Sequence, residues 1–292
     1  MNLNYKIPIF VTGGTGFLGK YVLEALYQKG FENVCCLVRP TSNCLIVDGL
    51  GYQSVTGDLE DLDMLRSAMR DYEIVLNIAS LGFGHAPFVV RAMEEAGVSR
   101  GVFVSTTSLF TNLNVTSKKI RIEAEETITN SSLNYTILRP TMIYGDLQDR
   151  NISRLVRFIL RYPVIPVLGS GDFLQQPVCV KDVATAIISS AFTSTAECKS
   201  YNISGSHSIS YNQMIDVVGE QLQKRIIKIH IPMQLSRKLL RLVKKIKEVG
   251  ITDEQILRLN EDKAFDHEEA KADFGYEPIS FEEGVKNIIK LL

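Results

Sequence analysis

No stretch of this chain approaches the roughly 20 apolar residues that a membrane-spanning helix needs, so a span is not expected. Charge of one sign is not in excess either. The net charge is −1 over 292 residues, which leaves no bulk field to draw nucleic acid or an anionic membrane. The amino terminus, Met1 to Lys6, is polar and offers no apolar leader, so a cytoplasmic location is the expectation. Cysteine is sparse. Cys35, Cys36, Cys44, Cys179 and Cys198 form no C-x-x-C pair and no metal spacing, which points to free thiols. His85, His207, His230 and His267 are scattered and suggest no metal cluster. Internal repeats and low-complexity tracts are absent as well.

What is present begins at Phe10-Val11-Thr12-Gly13-Gly14-Thr15-Gly16-Phe17-Leu18-Gly19. An apolar run, Ile7 to Val11, feeds this glycine turn. Phe17, Leu18, Tyr21, Val22, Ala25 and Leu26 then recur at helical spacing up to Gly30. Strand, glycine turn and helix start together form a dinucleotide-binding pattern. Gly13 permits the tight turn, Gly16 leaves room for a pyrophosphate, and Gly19 lets the helix pack closely. The free N–H groups and dipole of the helix start favour phosphate. Pro8 cannot donate in a central strand, so it is placed at the strand's entry.

The first half alternates between strands and helices. Val34–Val38, Ser54–Val55, Ile74–Ile78, Val102–Ser105 and Tyr135–Leu138 read as strands. Leu62–Met69, His85–Ala96 and Thr116–Thr129 read as helices. Such alternation predicts an α/β fold, a doubly wound parallel sheet of Rossmann type. Ligands in that fold sit beyond the carboxyl ends of the strands. After Pro140 the rhythm changes. Asn151–Tyr162 reads as a basic amphipathic helix, Val167–Pro177 as loop, and Asp182–Phe192 as a buried helix. Tyr201–Ile203 reads as a further strand of the main sheet. Tyr211–Lys224 is helical, Ile226–Ile231 strand-like, and Phe281–Leu292 closes the chain. Residues 1–150 are therefore expected to form the dinucleotide-binding core. Residues 151–292 form a smaller interwoven lobe, with 178–205 returning to the core. Ser236–Lys247 is a basic helix that either rests on a membrane surface or packs on the core with a solvated face.

Several patches carry a resemblance. They are the glycine turn, Gly57-Asp58-Leu59, Val104-Ser105-Thr106-Thr107, and Leu138-Arg139-Pro140-Thr141-Met142-Ile143-Tyr144-Gly145. Gln176 to Ala184 and Ala272 to Pro278 add to them. The sequence resembles the extended short-chain dehydrogenase/reductases of the NAD-dependent epimerase/dehydratase family. The resemblance implies NAD or NADP as coenzyme, an oxidoreductase or epimerase-like activity, and a small carbonyl or alcohol substrate such as a nucleotide sugar. It places Gly13, Gly14, Thr15, Gly16, Phe17, Leu18 and Gly19 on the phosphates. Asp58 and Leu59 would lie at the adenine, Asn77, Ala79 and Ser80 behind the nicotinamide ribose, and Pro140 beside the coenzyme. Tyr144 would be a substrate-pocket wall, and Gly169 to Asp172 with Gln175 and Gln176 would close over the substrate. Folds of this kind often pair helices in a homodimer, which the sequence leaves open.

Arg39, after the second strand, stands where an acidic residue would favour NAD. It suits a 2′-phosphate, which favours NADP; a plain surface arginine is the alternative. Arg154, Arg157 and Arg161 share a helix face. They suit a diphosphate, or else form a solvated basic face. Redox members of the family use a Ser/Thr, a tyrosine and a lysine four residues later. The lysine is needed because a free phenol, with a pKa of about 10, is no base at neutral pH. Thr107 matches the hydroxyl position, but the tyrosine is missing. Matching Ser117-Lys118 places Asn114 at the tyrosine and Lys118 at the lysine. Matching Ala124-Glu125 places Ser117 and Arg121 there instead. His85, with Thr107 and Lys118, is the candidate substitute set; a histidine that caps a helix or touches phosphate is the alternative. A protein that holds the coenzyme without turnover, as a redox sensor or scaffold, is the second reading of the whole chain.

Overall fold

The computed structural model describes residues 5–113, 115–232, 234 and 261–292. The basic stretch Ser236–Lys247 lies outside these residues. The first half alternates as β1 (Ile9–Thr12), α1 (Phe17–Gln28), β2 (Val34–Val38), α2 (Leu45–Gly49), β3 (Gln53–Thr56), α3 (Leu62–Met69), β4 (Ile74–Asn77), α4 (Ala86–Ala96), β5 (Arg100–Val104), α5 (Thr116–Thr129) and β6 (Asn134–Pro140). The chain continues through β7 (Ile143–Tyr144), α6 (Ile152–Arg161), β8 (Val164–Leu168), β9 (Leu174–Gln175), β10 (Val178–Cys179), α7 (Val180–Ala191) and β11 (Lys199–Ile203). It ends with β12 (Ile209–Ser210), α8 (Tyr211–Gln221), β13 (Ile227–Ile231), α9 (Glu268–Phe274) and α10 (Phe281–Ile289).

Seven strands form one parallel sheet in the order β3-β2-β1-β4-β5-β6-β11. β1, β2, β4 and β5 are buried throughout, as strands covered on both faces must be. On one face Val22, Leu23 and Leu26 of α1 pack with Val183 and Ile187 of α7. On the other, Leu65 of α3, Val89 and Met93 of α4, and Ile128 of α5 cover the sheet. The chain runs outward from β1 to β3 and then returns to β4 on β1's other side. That reversal opens a crevice above β1 and β4, the switch point where such sheets bind ligands. A third apolar cluster, with Tyr144, Val156, Ile165, Ile215 and Val285, forms the smaller lobe. Among the described residues no helix is long and apolar enough to cross a membrane.

Pro8 stands just before β1, and its carbonyl accepts from the Glu73 and Ile74 amides. The ring therefore removes no ladder bond. β11 sits at the sheet edge beside β6, as expected for the Tyr201–Ile203 run. The stretch read as loop from Val167 to Pro177 differs. Val164–Leu168 is a strand paired with β13, and Leu174–Gln175 is a second, paired with β12. Pro163 and Pro166 masked the first of these. Pro166 is tolerated because β8 has one strand partner among the described residues, and an edge strand can spare a donor. Ile165 and Val167 alternate inward while Val164 and Pro166 face out. α2, a five-residue turn of helix, carries too short a pattern to read.

Asp182 lies in the first turn of α7 and accepts from the Ile279 amide at 3.0 Å. This bond ties the carboxyl-terminal segment to the core. Burial pushes the Asp182 carboxyl up to about 6. Its folded value thus exceeds the ordinary unfolded value of about 3.9, so the folded state binds the extra proton between the two. Stability is then expected to fall by up to about 2 kcal/mol as pH rises from about 4 to about 6, and to stay level above that. Asp182→Asn should flatten this slope in urea unfolding across the same pH range.

Candidate functional site

The crevice floor is built from backbone. Gly13 takes φ +73°, and a methyl group there would stand 2.6 Å from the Ala79 amide nitrogen. The turn after β1 therefore lies against the end of β4. At Gly19 a methyl group would run into the Gly13 carbonyl and the Gly14 backbone, so α1 sits on the turn with only hydrogen between. Gly16, at the N-cap of α1, is exposed, and no side chain caps the helix. The first-turn N–H groups are left as donors for an anion. Thr15 and Phe17 flank this opening and are half-buried, while Leu18 is buried in the core.

Below this floor, Thr12 Oγ1 donates to Asn77 Oδ1 at 2.7 Å, and Asn77 Nδ2 reaches the Ala79 carbonyl at 3.5 Å. Asn77 is fully buried. Its side chain thus braces the crevice from beneath and does not line it. Ser80 is exposed, and its Oγ accepts from the Gly82 amide. Just past β2 and β3, Arg39 and Asp58 are both exposed, and Leu59 is half-buried. Asp58 Oδ1 accepts from the Glu60 amide at 3.0 Å.

His85 precedes α4 but makes no capping bond. Its ring is 2% exposed, and Nε2 has no hydrogen-bond partner among the described residues. Burial holds the imidazole below its ordinary range, with the Asp58 charge pulling the other way. His85 shares no hydrogen bond with Thr107 or Lys118 among the described residues. Thr107 Oγ1 lies 3.4 Å from the buried Pro140 carbonyl. Lys118 Nζ donates to the Thr111 carbonyl at 2.6 Å.

α5 is fixed by a different residue. Glu125 accepts from Ser105 Oγ at 2.5 Å and from Arg139 Nη2 at 2.6 Å. Arg139 also lies over the Phe110 ring, 5.5 Å from its centre. With α5 so placed, the Arg121 guanidinium stands against Gly82, just past β4, and Nη1 donates to the Ser117 carbonyl. Of the two alignments of this helix, the one that puts Ser117 and Arg121 in the tyrosine and lysine positions brings a cation to the crevice. Asn114 lies outside the described residues.

Two cavities adjoin. One, of about 260 Å³, lies over Thr106, Thr107 and Ser108. Residues 261–265 cross it as a strap. Glu261 accepts from Thr111 Oγ1 at 2.6 Å and from the Asn112 amide. Asp262 accepts from the Leu174 amide, and the Lys263 amide donates back to the Leu174 carbonyl. The sequence reading missed Glu261 and Lys263. They sit in no local motif, and the chain brings them from about half its length away. No tyrosine is among the described residues that line this cavity. The second cavity, of about 560 Å³, lies in the lobe, and Met142 and Gln175 wall both. Arg154 lines it and is exposed; Arg157 is instead bonded to the Leu147 carbonyl.

Two expected substrate residues do not line either cavity. Tyr144 is fully buried in the lobe core, with its hydroxyl over Gly284 and its ring 5.5 Å from that of Phe281. Gln176 is buried too: Nε2 donates to the Gly205 carbonyl and Oε1 accepts from the Phe265 amide. It anchors the strap, and its neighbour Gln175 faces the cavities. A further cavity, of about 580 Å³, opens at the amino ends of the strands, around Pro8, Ile74 and Arg100. There the Arg100 guanidinium already donates to the Ser190, Ala191, Gly101 and Asn134 carbonyls and to Thr136 Oγ1.

The glycine turn and everything to the end of α7 match a known family profile, described as NAD(P)H-binding, over residues 13–192. The chain belongs to this NAD(P)H-binding family. Its fold is that of the epimerases. The UDP-glucose 4-epimerase of Thermotoga maritima superposes with a TM-score of 0.77 at 18% identity, covering 98% of each chain. MoeE5, solved with UDP-glucuronic acid and NAD, gives 0.75 at 21% identity over 97% of this chain and 98% of that one. Among curated relatives, the Arabidopsis thaliana NADH dehydrogenase [ubiquinone] 1 alpha subcomplex subunit 9 is 24% identical over 251 residues, 76% of this chain. The chain spans 60% of that relative's length and 56% of the mouse counterpart's. A 2-alkyl-3-oxoalkanoate reductase of Shewanella oneidensis is 25% identical over 96% of this chain and 84% of its own length.

Gly13→Ala must leave a left-handed conformation and push against β4. It is expected to weaken NAD(P)H binding at least tenfold in a fluorescence titration, and to lower stability by about 1–3 kcal/mol. Glu125→Ala strands the Arg139 guanidinium. The expected loss is about 3 kcal/mol in urea unfolding, well beyond that of the exposed neighbour change Glu126→Ala.

Proposed function

We propose that the protein binds NADP(H) across the crevice above β1 and β4 and acts as an oxidoreductase. Its substrate would be a small carbonyl or alcohol compound held over Thr107. The observation that carries this is the uncapped start of α1 behind a turn where side chains have no room. Gly13 to Gly19 would cradle the pyrophosphate, and Arg39 would pair with the 2′-phosphate. NADP(H), when bound, would supply hydride to a carbonyl or take it from an alcohol. Thr107 would orient the substrate oxygen, and Arg121 would lend positive charge beside the crevice. Two carboxylates, Glu261 and Asp262, line the Thr107 cavity, and Glu261 is the candidate to take or return the proton. Solved neighbours are named for UDP sugars, and one relative for a 3-oxoalkanoate. Both are the first substrates to try.

A second reading keeps the coenzyme and drops the turnover. Ser117 at the tyrosine position favours it, as does similarity to a respiratory-complex subunit. The deciding experiment mixes the protein with NADPH and a panel of nucleotide sugars and 3-oxo acids. Nicotinamide absorbance and products are then followed together. Turnover that falls at least tenfold in Thr107→Val supports the enzyme. Saturable coenzyme binding with no product across the panel moves the assignment to the second reading. In either case Arg39→Glu is expected to weaken NADPH at least tenfold while leaving NADH within about twofold, because only the phosphorylated ribose loses a cation.

A further inference from the structure

We propose that the lobe cavity takes an amphiphilic anion, a molecule with an apolar body and one carboxylate or phosphate group, in place of a nucleotide sugar. This deepens the reading of the Thr107 cavity as a reaction site and rests on it for the chemistry, though not for the binding. The walls are chiefly apolar: Leu155, Phe158, Ile165, Leu168, Phe173 and Met214 among them. At about 560 Å³ the space suits a molecule of drug-like size. Each methylene buried there adds to the affinity by leaving water.

The polar inventory is short. Asn151, Gln175 and Tyr211 are the neutral hydrogen-bonding side chains on the wall, and Gln175 Nε2 already donates to the Leu174 carbonyl. A hexose and a ribose would bring many hydroxyls to this surface. Each one left without a partner would lose its hydration with nothing in return. The charged inventory is one-sided. Arg150 and Arg154 line the cavity, and no carboxylate is among its described lining residues. Neither guanidinium forms an ion pair among the described residues. Two unpaired forks beside an apolar space suit one anionic group. Met142 and Gln175 wall both cavities, so a ligand long enough to pass them reaches Thr107.

The test is calorimetric titration of the whole protein at low salt with decanoate, decyl phosphate and UDP-glucose, each below any micelle-forming concentration. NADPH binding is measured separately on the same preparation. One saturable site for decanoate or decyl phosphate is expected, the better of the two identifying the head group. Arg150→Gln and Arg154→Gln, both at exposed positions, should each weaken it at least fivefold. Leu155→Trp should abolish it by filling the space. Because Leu155 is part of the lobe core, the half-exposed rim change Phe158→Asp is run beside it and should weaken binding at least tenfold. UDP-glucose binding without either amphiphile overturns the inference. So does amphiphile binding that both arginine variants leave unchanged, and so does the absence of any binding in a preparation that still takes up NADPH. A protein that binds decanoate but no NADPH upholds the cavity assignment and removes the oxidoreductase reading.

Discussion

The structure depends on one close approach, that of α1 to the turn before it. With no side chain at Gly19, the helix can rest on the backbone of Gly13 and Gly14. That seating points the helix's first N–H groups out over β4. It also buries Val22, Leu23 and Leu26 against the sheet. Packing and ligand binding therefore draw on the same contact: what tightens the core also aims the donors. A larger residue at that position would lift the helix and blunt both.

The far side of the crevice is held by charge. Glu125 gathers Ser105 and Arg139 and so locks α5 to β5 and β6. A half-buried ion pair of this kind adds little net stability, since desolvation offsets most of the attraction. Its effect is on placement. It sets the azimuth of α5, and hence which of its residues meet the crevice. Arg121 does so, while Lys118 turns back to the Thr111 carbonyl.

Much of this was legible beforehand, for reasons that can be stated. Val34–Val38, Leu62–Met69 and Thr116–Thr129 are bounded by strong local signals, and the structure has them at those bounds. The glycine turn was readable because its chemistry is local to ten residues. β8 was not, because two prolines spoke louder than the alternation of Ile165 and Val167. The family resemblance makes Tyr144 a pocket wall, but Gly284, some 140 residues on, supplies the hole that swallows its hydroxyl. Of Gln175 and Gln176, both expected to close over the substrate, only Gln175 lines the cavities; Gln176, just past β9, is taken up by the Gly205 carbonyl and the Phe265 amide, partners too far along the chain to be read locally. Glu261 reaches Thr111 across a separation of 150 residues, which no periodicity can encode.

The guanidinium of Arg100 has a consequence for the sheet as a mechanical object. It stitches β5, β6 and the end of α7 together at the foot of the strands, with every donor engaged. The heads of the same two strands are gripped as well, where Glu125 takes Ser105 just past β5 and Arg139 in β6. The pair is thus clamped at both ends, by a cation among carbonyls at the foot and by an ion pair at the head.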